Sequence, residues 1–208
     1  MSRPDGVKRR HVDGERALAT RGEPIGDEPT AGGWRRWEPR RSKLGAMLER
    51  GVETGLAGGE TVLYLGAAAG TTASHVADFA GPVYAVEFAP RPMRELLEVG
   101  AARDRLIPLL KDARRPETYA HVVEPVDVVI QDVATRGQAR VALENRRFLR
   151  ESGRLLLAVK AQSEDVTRPP ESVFESVLDE LSGGYEVLET ERLDPLHDAH
   201  LGVVARPR

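Results

Sequence analysis

Apolar residues in this chain fall into short blocks separated by glycine, proline and charge. Val62 to Leu65 is a continuous apolar run closed by Gly66, as suits a parallel strand buried on both faces. Ala73, Val76, Phe79 and Ala80 then recur at helical spacing; Thr71 or Thr72 would cap this helix and Gly81-Pro82 would end it. A second run, Val83 to Val86, stops at Glu87. Further on, PRPMRELLEVGAARD predicts a helix with Met93, Leu96 and Leu97 inward. Leu106 to Leu110, Val126 to Ile130 and Arg154 to Val159 predict strands, and Gln138 to Leu149 predicts a helix. Glu171 to Leu181 is another helix, with Phe174, Val177, Leu178 and Leu181 on its core side. Tyr185 to Arg192 and His200 to Ala205 read as two strands with no helix between them.

Alternating strands and helices build a parallel, doubly wound sheet. The last two strands are joined by a short loop and must be antiparallel, since a parallel pair needs a crossover of about a dozen residues or more. The expected fold is therefore α/β and Rossmann-like, a mostly parallel seven-stranded sheet with an antiparallel terminal strand. S-adenosylmethionine methyltransferases are built this way, and dinucleotide dehydrogenases as a rule are not.

Residues 1–33 are polar and glycine-punctuated and read as a short β/loop extension to a main domain spanning 34–208. Gly6 to Val12 and Arg16 to Thr20 suit two strands joined at Asp13-Gly14, and RGEPIGDEPTAGG is loop-like. In WRRWEPRRSKLGAMLERG, Ser42 would cap a helix from Lys43 to about Gly51 with Leu44, Met47 and Leu48 on one face. Trp34, Trp37, Arg35, Arg36, Arg40 and Arg41 form an aromatic, basic cluster with two readings. It lies near RNA or a cofactor, or its tryptophans close the core and its arginines are solvated.

Composition narrows the classes. With no cysteine among 208 residues, disulfides and thiolate metal sites are excluded, and five histidines without an H-x-x-x-H pair give no metal signal. No apolar stretch approaches the roughly 20 residues of a membrane helix, and the N-terminus lacks a signal-peptide core, so a cytoplasmic protein is expected. The formal net charge of −3 is unusual for a protein that grips RNA unaided. Lysine occurs only at positions 8, 43, 111 and 160, against 26 arginines.

Ligands of open parallel sheets bind beyond the carboxyl ends of the strands. Gly66, Thr71, Glu87, Asp112, Asp132 and Lys160 all fall there, and ionisable groups at several strand ends are poor packing but good chemistry. Glu87, 21 positions after Gly66, suits the two hydroxyls of an adenosine ribose. The turn is G-x-x-x-G with alanines between, not the G-x-G-x-x-G that cradles a pyrophosphate, which favours S-adenosylmethionine over a dinucleotide.

At this point LGAAAGTTASHV, VYAVEFAPRPMRELL, LLKDAR, QDVATRGQA and LLLAVKAQSEDVT together resemble archaeal fibrillarin, over nearly everything from Trp34 onward. The resemblance implies an S-adenosylmethionine-dependent RNA 2′-O-methyltransferase acting on rRNA and tRNA. It implies that Gly66 and Ala67 bind the cofactor, that Thr71 and Thr72 contact its amino acid end, and that Glu87 and Phe88 hold the ribose and flank the adenine. Asp112 and Ala113 would read the adenine edge; Asp132, Val133, Ala134, Thr135 and Gln138 would close the methionine end. Lys43, Asp132, Lys160 and His200 would form the catalytic group, with His200 preferred to His197 and the identity of the base left open. Ala69 stands where the family more often has serine, Glu38 where it has asparagine, and Ala199 where an acid usually precedes the histidine. The small N-terminal β-unit of the family is abbreviated here. Expected partners are a box C/D guide RNA with its target rRNA or tRNA, a Nop-type scaffold protein and a kink-turn-binding ribosomal-type protein, with no membrane. Two other readings are a catalytically silent nucleotide-binding assembly subunit and an NAD-type oxidoreductase.

Overall fold

A computed structural model describes residues 3–208; Met1 and Ser2, the first residues of the expected extension, lie outside it. The chain opens with four strands, β1 (Lys8–Val12), β2 (Glu15–Arg21), β3 (Thr30–Ala31) and β4 (Trp34–Arg36). They form an antiparallel sheet in the order β1-β2-β4-β3. Asp13 and Gly14 both have positive φ (53° and 77°), the hairpin turn that the Asp-Gly pair predicts. The expected two strands thus become four. Thr30–Ala31, read as loop, pairs with Trp34–Arg36, so the small sheet runs past residue 33. Two residues are too few for a periodic signal.

A 3-10 turn, Pro39–Arg41, leads into α1 (Lys43–Arg50). Ser42 caps α1 by accepting from Gly45 N at 3.0 Å, and Gly51 ends it at φ 87°, both as the sequence predicts. Then come β5 (Val62–Leu65), α2 (Thr71–Ala77), β6 (Val83–Glu87), α3 (Pro90–Ala101), β7 (Leu106–Leu110) and β8 (Val126–Gln131). The chain finishes with α4 (Gln138–Asn145), β9 (Leu149–Lys160), α5 (Ala161–Glu164), α6 (Pro170–Leu181), β10 (Tyr185–Arg192) and β11 (His200–Pro207). The large sheet has seven strands in the order β10-β11-β9-β8-β5-β6-β7, parallel from β9 to β7, with β11 antiparallel to both its neighbours. This is the expected architecture.

Layering follows from the pleat. Val62 and Tyr64 face the core shared with α1, α2, α3 and the small sheet, whereas Leu63 and Leu65 face the core under α4 and α6. No helix among the described residues is long and apolar enough to cross a membrane.

Three local expectations fail. Leu97 is 53% exposed, because α3 turns Met93, Leu96 and Val99 inward and leaves no room for a fourth position on that face. Neither Thr71 nor Thr72 caps α2. Gly70 does, at φ 89°, where a Cβ would stand 2.8 Å from Leu96 Cδ1. Finally, α4 stops at Asn145, whose buried amide turns back to Val141 O and Ala113 O, so Leu149 begins a strand instead of ending a helix.

Candidate active site

Sheet order reverses at β5: β6 and β7 lie to one side, β8 and β9 to the other. Loops leaving β5 and β8 therefore diverge and open a crevice at their carboxyl ends. Gly66 occupies the closest approach, with φ +82°; a Cβ there would meet Asp132 O at 2.7 Å. Only glycine lets the two strand ends touch. Beyond it lies a cleft of about 400 Å³. Its walls include Gly66, Ala68, Glu87, Phe88, Asp112, Ala113, Asp132, Val133, Ala134, Thr135 and Lys160.

One end of the cleft sets a fixed carboxylate beside an exposed aromatic ring. Glu87 is buried, yet Oε2 accepts from Ala68 N (2.9 Å) and Oε1 from Ala89 N (2.7 Å). Its carboxylate thereby ties the end of β6 to the turn after β5, where Ala68 has a left-handed φ of 49°. Each oxygen retains a lone pair for a further donor. Phe88, 66% exposed, offers an apolar plate beside it. Across the cleft, the Ala113 carbonyl is held by Asn145 Nδ2 (2.8 Å) and Tyr119 OH (3.3 Å), while its N–H has no partner among the described residues. Arg114 grips both oxygens of Asp112, through Nε at 3.0 and 3.1 Å and Nη2 at 2.7 Å. That pairing, against the opposing effect of burial, holds the Asp112 carboxyl below its usual range.

The other end carries charge. Asp132 Oδ1 lies 2.7 Å from Lys160 Nζ and 3.6 Å from Lys43 Nζ. Lys160 aims its hydrogen bond at the Asp132 main-chain carbonyl (3.0 Å), so its approach to Oδ1 is an ion pair rather than an aligned hydrogen bond. Oδ1 is buried between the two ammonium groups, which leaves Oδ2 as the oxygen that meets solvent. Lys43 is the first residue of α1, and its cap Ser42 receives a hydrogen bond from Thr72 (3.0 Å) that ties α1 to α2. His200 sits opposite Lys160 in the β9–β11 register. Its Nδ1 is 2.7 Å from Asp198 O; a carbonyl only accepts, so Nδ1 carries the proton and Nε2 has the lone pair when the ring is neutral. Burial lowers the His200 imidazole below its ordinary 6.5; Asp198 pulls the other way, and Lys43, His197 and Lys160 reinforce the drop. His197 is the poorer candidate, because its Nε2 is engaged with Pro39 O at 2.8 Å.

Comparison with known proteins then decides the family. The fibrillarin family profile matches residues 4–208. The chain belongs to the fibrillarin family. The fibrillarin-like rRNA/tRNA 2′-O-methyltransferase of Haloarcula marismortui is 69% identical over 208 residues, covering 100% of this chain and 99% of the relative. That of Methanosarcina mazei is 45% identical over 202 residues, covering 94% and 85%. Among solved structures, fibrillarin from a fibrillarin/Nop5p complex superposes with a TM-score of 0.91 at 38% identity, covering 100% of both chains. Aeropyrum pernix fibrillarin with natively bound S-adenosyl-L-methionine gives 0.83 at 41% identity, covering 99% of this chain and 100% of that one. The family match includes the N-terminal sheet, where the sequence resemblance was weaker.

Within this fibrillarin-family fold, most residues named from sequence meet in or beside one cleft. Some stand behind its wall. Ala67 is buried in the turn, Thr72 is spent on Ser42, and Thr71 faces a neighbouring hollow beside Glu28 and Arg41. Gln138 is wholly buried; its side chain clasps Lys160, accepting from Lys160 N (2.9 Å) and donating to Lys160 O (3.0 Å). Glu164 in turn accepts from Gly137 N and Gln138 N at the start of α4. Sequence reasoning missed Ala68, Arg114 and Glu164. Arg114 and Asp112 are two residues apart, a visible charge pair; nothing local marked Ala68 or Glu164.

Proposed function

We propose that this chain transfers a methyl group from S-adenosylmethionine to a ribose 2′-hydroxyl of rRNA and tRNA, as the catalytic subunit of a guide-directed box C/D ribonucleoprotein. One observation carries the reading: an ion cluster of Asp132, Lys160 and Lys43, flanked by His200, at the inner end of a cleft whose outer end is shaped for adenosine. The donor set fits the cofactor. Glu87 supplies acceptors for two ribose hydroxyls, Phe88 a face for the adenine, and Ala113 an unpaired N–H for its edge. Bound there, S-adenosylmethionine supplies an electrophilic methyl on its sulfonium. Absence of a pyrophosphate cradle argues against a dinucleotide.

Asp132 Oδ2 would accept a hydrogen bond from the incoming 2′-hydroxyl and align its oxygen, a positioning effect worth several kcal/mol. Lys160 and Lys43 hold the Asp132 side chain in place, and stabilise the oxygen as it loses its proton late in the step. The unprotonated Nε2 of His200 is a second proton acceptor nearby, and the proton ends on whichever group takes it before reaching water.

A net charge of −3 leaves little surplus for phosphates, so other components would hold most of the RNA. A Nop-type scaffold fits the likeness to fibrillarin solved with Nop5p. A kink-turn-binding ribosomal-type protein and a guide RNA complete the assembly, which would work in the cytoplasm.

Asp132→Ala and Lys160→Ala test the reading through tritiated methyl incorporation into guide-paired RNA, with circular dichroism for the fold. Loss of turnover in folded protein is expected. Near-normal turnover in both variants would refute the catalytic group, and an inactive wild type that still binds S-adenosylmethionine would make the chain a silent assembly subunit.

A further inference from the structure

Only half of the aromatic, basic cluster is explained by packing. Trp37 is fully buried and stacks on His75 (4.8 Å between ring centres, 5° between planes). Arg35 is buried between Glu28 and Asp78. Trp34 is different. In the small sheet, Arg35, Thr20 and Leu18 share the face that meets α2, so the pleat sends Trp34, Arg21, Arg10 and Lys8 to the opposite, outer face.

On that outer face Trp34 gathers two cations. The guanidinium carbons of Arg10 and Arg21 lie 4.8 and 5.0 Å from its ring centre. Both arginines are exposed, and among the described residues neither has an ion-pair partner, nor has Lys8. Two unpaired guanidinium groups within about 10 Å of each other repel across roughly one Debye length. A surface cation–π contact returns only about 0.5–1 kcal/mol each. Such an arrangement makes sense when an anion completes it. Charge is also uneven along the chain: the first 41 residues hold ten Lys and Arg against seven Asp and Glu, although the whole chain is negative. On the same side of β4, Arg36 is neutralised by Glu15 and Glu38 (2.9 Å each), so among the described residues the unpaired cations of this face are Lys8, Arg10 and Arg21 around Trp34.

We propose that the outer face of the N-terminal sheet is an RNA contact, on which Arg10 and Arg21, held by Trp34, receive phosphates of the sugar–phosphate backbone. Planar guanidinium groups suit phosphate oxygens, and fixing them on an indole removes part of the ordering cost of binding. The contact is independent of base sequence, as a guide-directed enzyme requires, because pairing selects the target and the protein holds only the strand. The proposal rests on the RNA-methylation reading above.

Its test is salt-dependent binding of the full chain to a labelled single-stranded RNA, by fluorescence anisotropy, between about 50 and 200 mM potassium chloride. The double variant Arg10→Gln/Arg21→Gln should bind more weakly, with the slope of log K against log salt shallower by about 1.4, or roughly 0.7 for each single-strand phosphate no longer neutralised. Arg10→Lys/Arg21→Lys should keep the slope, and Trp34→Leu should weaken binding several-fold with the slope retained. Circular dichroism confirms the fold, which exposed side chains should not disturb. A parallel arm measures methylation by the assembled particle, where the double variant should raise the KM for target RNA and leave kcat unchanged. Unchanged slope and affinity in the double variant, beside a wild-type particle that methylates its guided nucleotide, would overturn the RNA contact and spare the methylation reading. Loss of scaffold-protein binding with an unchanged RNA slope would also overturn it, making the face a protein dock. No methylation by the wild-type particle would instead strike at the enzyme reading.

Discussion

Glu87 offers the most quantitative test of the nucleoside end of the cleft. Its carboxylate already receives Ala68 N at 2.9 Å and Ala89 N at 2.7 Å, so it is fixed before any ligand arrives. The lone pairs left over would take two ribose hydroxyls. A hydrogen bond to a charged group contributes about 1.5–3 kcal/mol, and part of that is regained from water when the acceptor is removed. Glu87→Ala should therefore weaken S-adenosylmethionine by about 1.5–3 kcal/mol in all, roughly ten- to 150-fold in Kd. S-adenosylhomocysteine carries the same ribose and should lose affinity by the same factor, which separates a ribose contact from one to the sulfonium. Glu87→Gln should fall between, since one amide oxygen remains but the amide NH2 now meets a main-chain N–H. Calorimetric titration of both ligands measures this, with circular dichroism as control. A change of less than about twofold in folded protein, far below the value of a charged hydrogen bond, would remove Glu87 from the site.

Other consequences are separable. Gln138→Ala should lower kcat about tenfold, the order of a small misplacement, and leave cofactor Kd unchanged, because its side chain is spent on the backbone of Lys160 and on Glu164; single-turnover kinetics beside calorimetry distinguish this from a folding defect. Gly66→Ala should abolish cofactor binding and lower the melting temperature, since its Cβ would meet Asp132 O at 2.7 Å with φ at +82°. His75 is lowered from 6.5 to about 4, chiefly by burial, with Arg35 and Arg103 opposing the pull of Glu28. The unfolded chain therefore takes up this proton first. The contribution to stability is full above pH 6.5, falls as pH drops towards 4, and is worth roughly 3 kcal/mol. Denaturant unfolding between those pH values should show the loss, and His75→Phe, which preserves the stack on Trp37, should flatten it.

The site was legible where chemistry coincides with periodicity. Strand ends are marked by the stop of an apolar run, so Glu87, Asp132 and Lys160 fall at one sheet edge on the sequence pattern alone. The glycine at position 66 was legible for the same reason. Partners that depend on long-range approach were not. The family resemblance puts Gln138 at the methionine end, and its side chain clasps the backbone of Lys160, 22 positions away. The four-stranded N-terminal sheet was half visible: Asp13-Gly14 announces one hairpin, but a two-residue strand carries no period. Trp34 and Trp37, three residues apart, read as one cluster; both pair with β2, and the alternation of an extended strand sends side chains three apart to opposite sides of the sheet.

The central claim is that this cleft methylates a ribose chosen by base pairing. Its most direct test reconstitutes the chain with a Nop-type scaffold, a kink-turn-binding protein and a guide RNA, then maps the methylated nucleotide by primer extension at limiting nucleotide concentration. Changing the guide should move the methyl group to the newly paired nucleotide, and the isolated chain should methylate the same target barely at all. Efficient methylation by the isolated chain, at positions indifferent to the guide, would contradict the account.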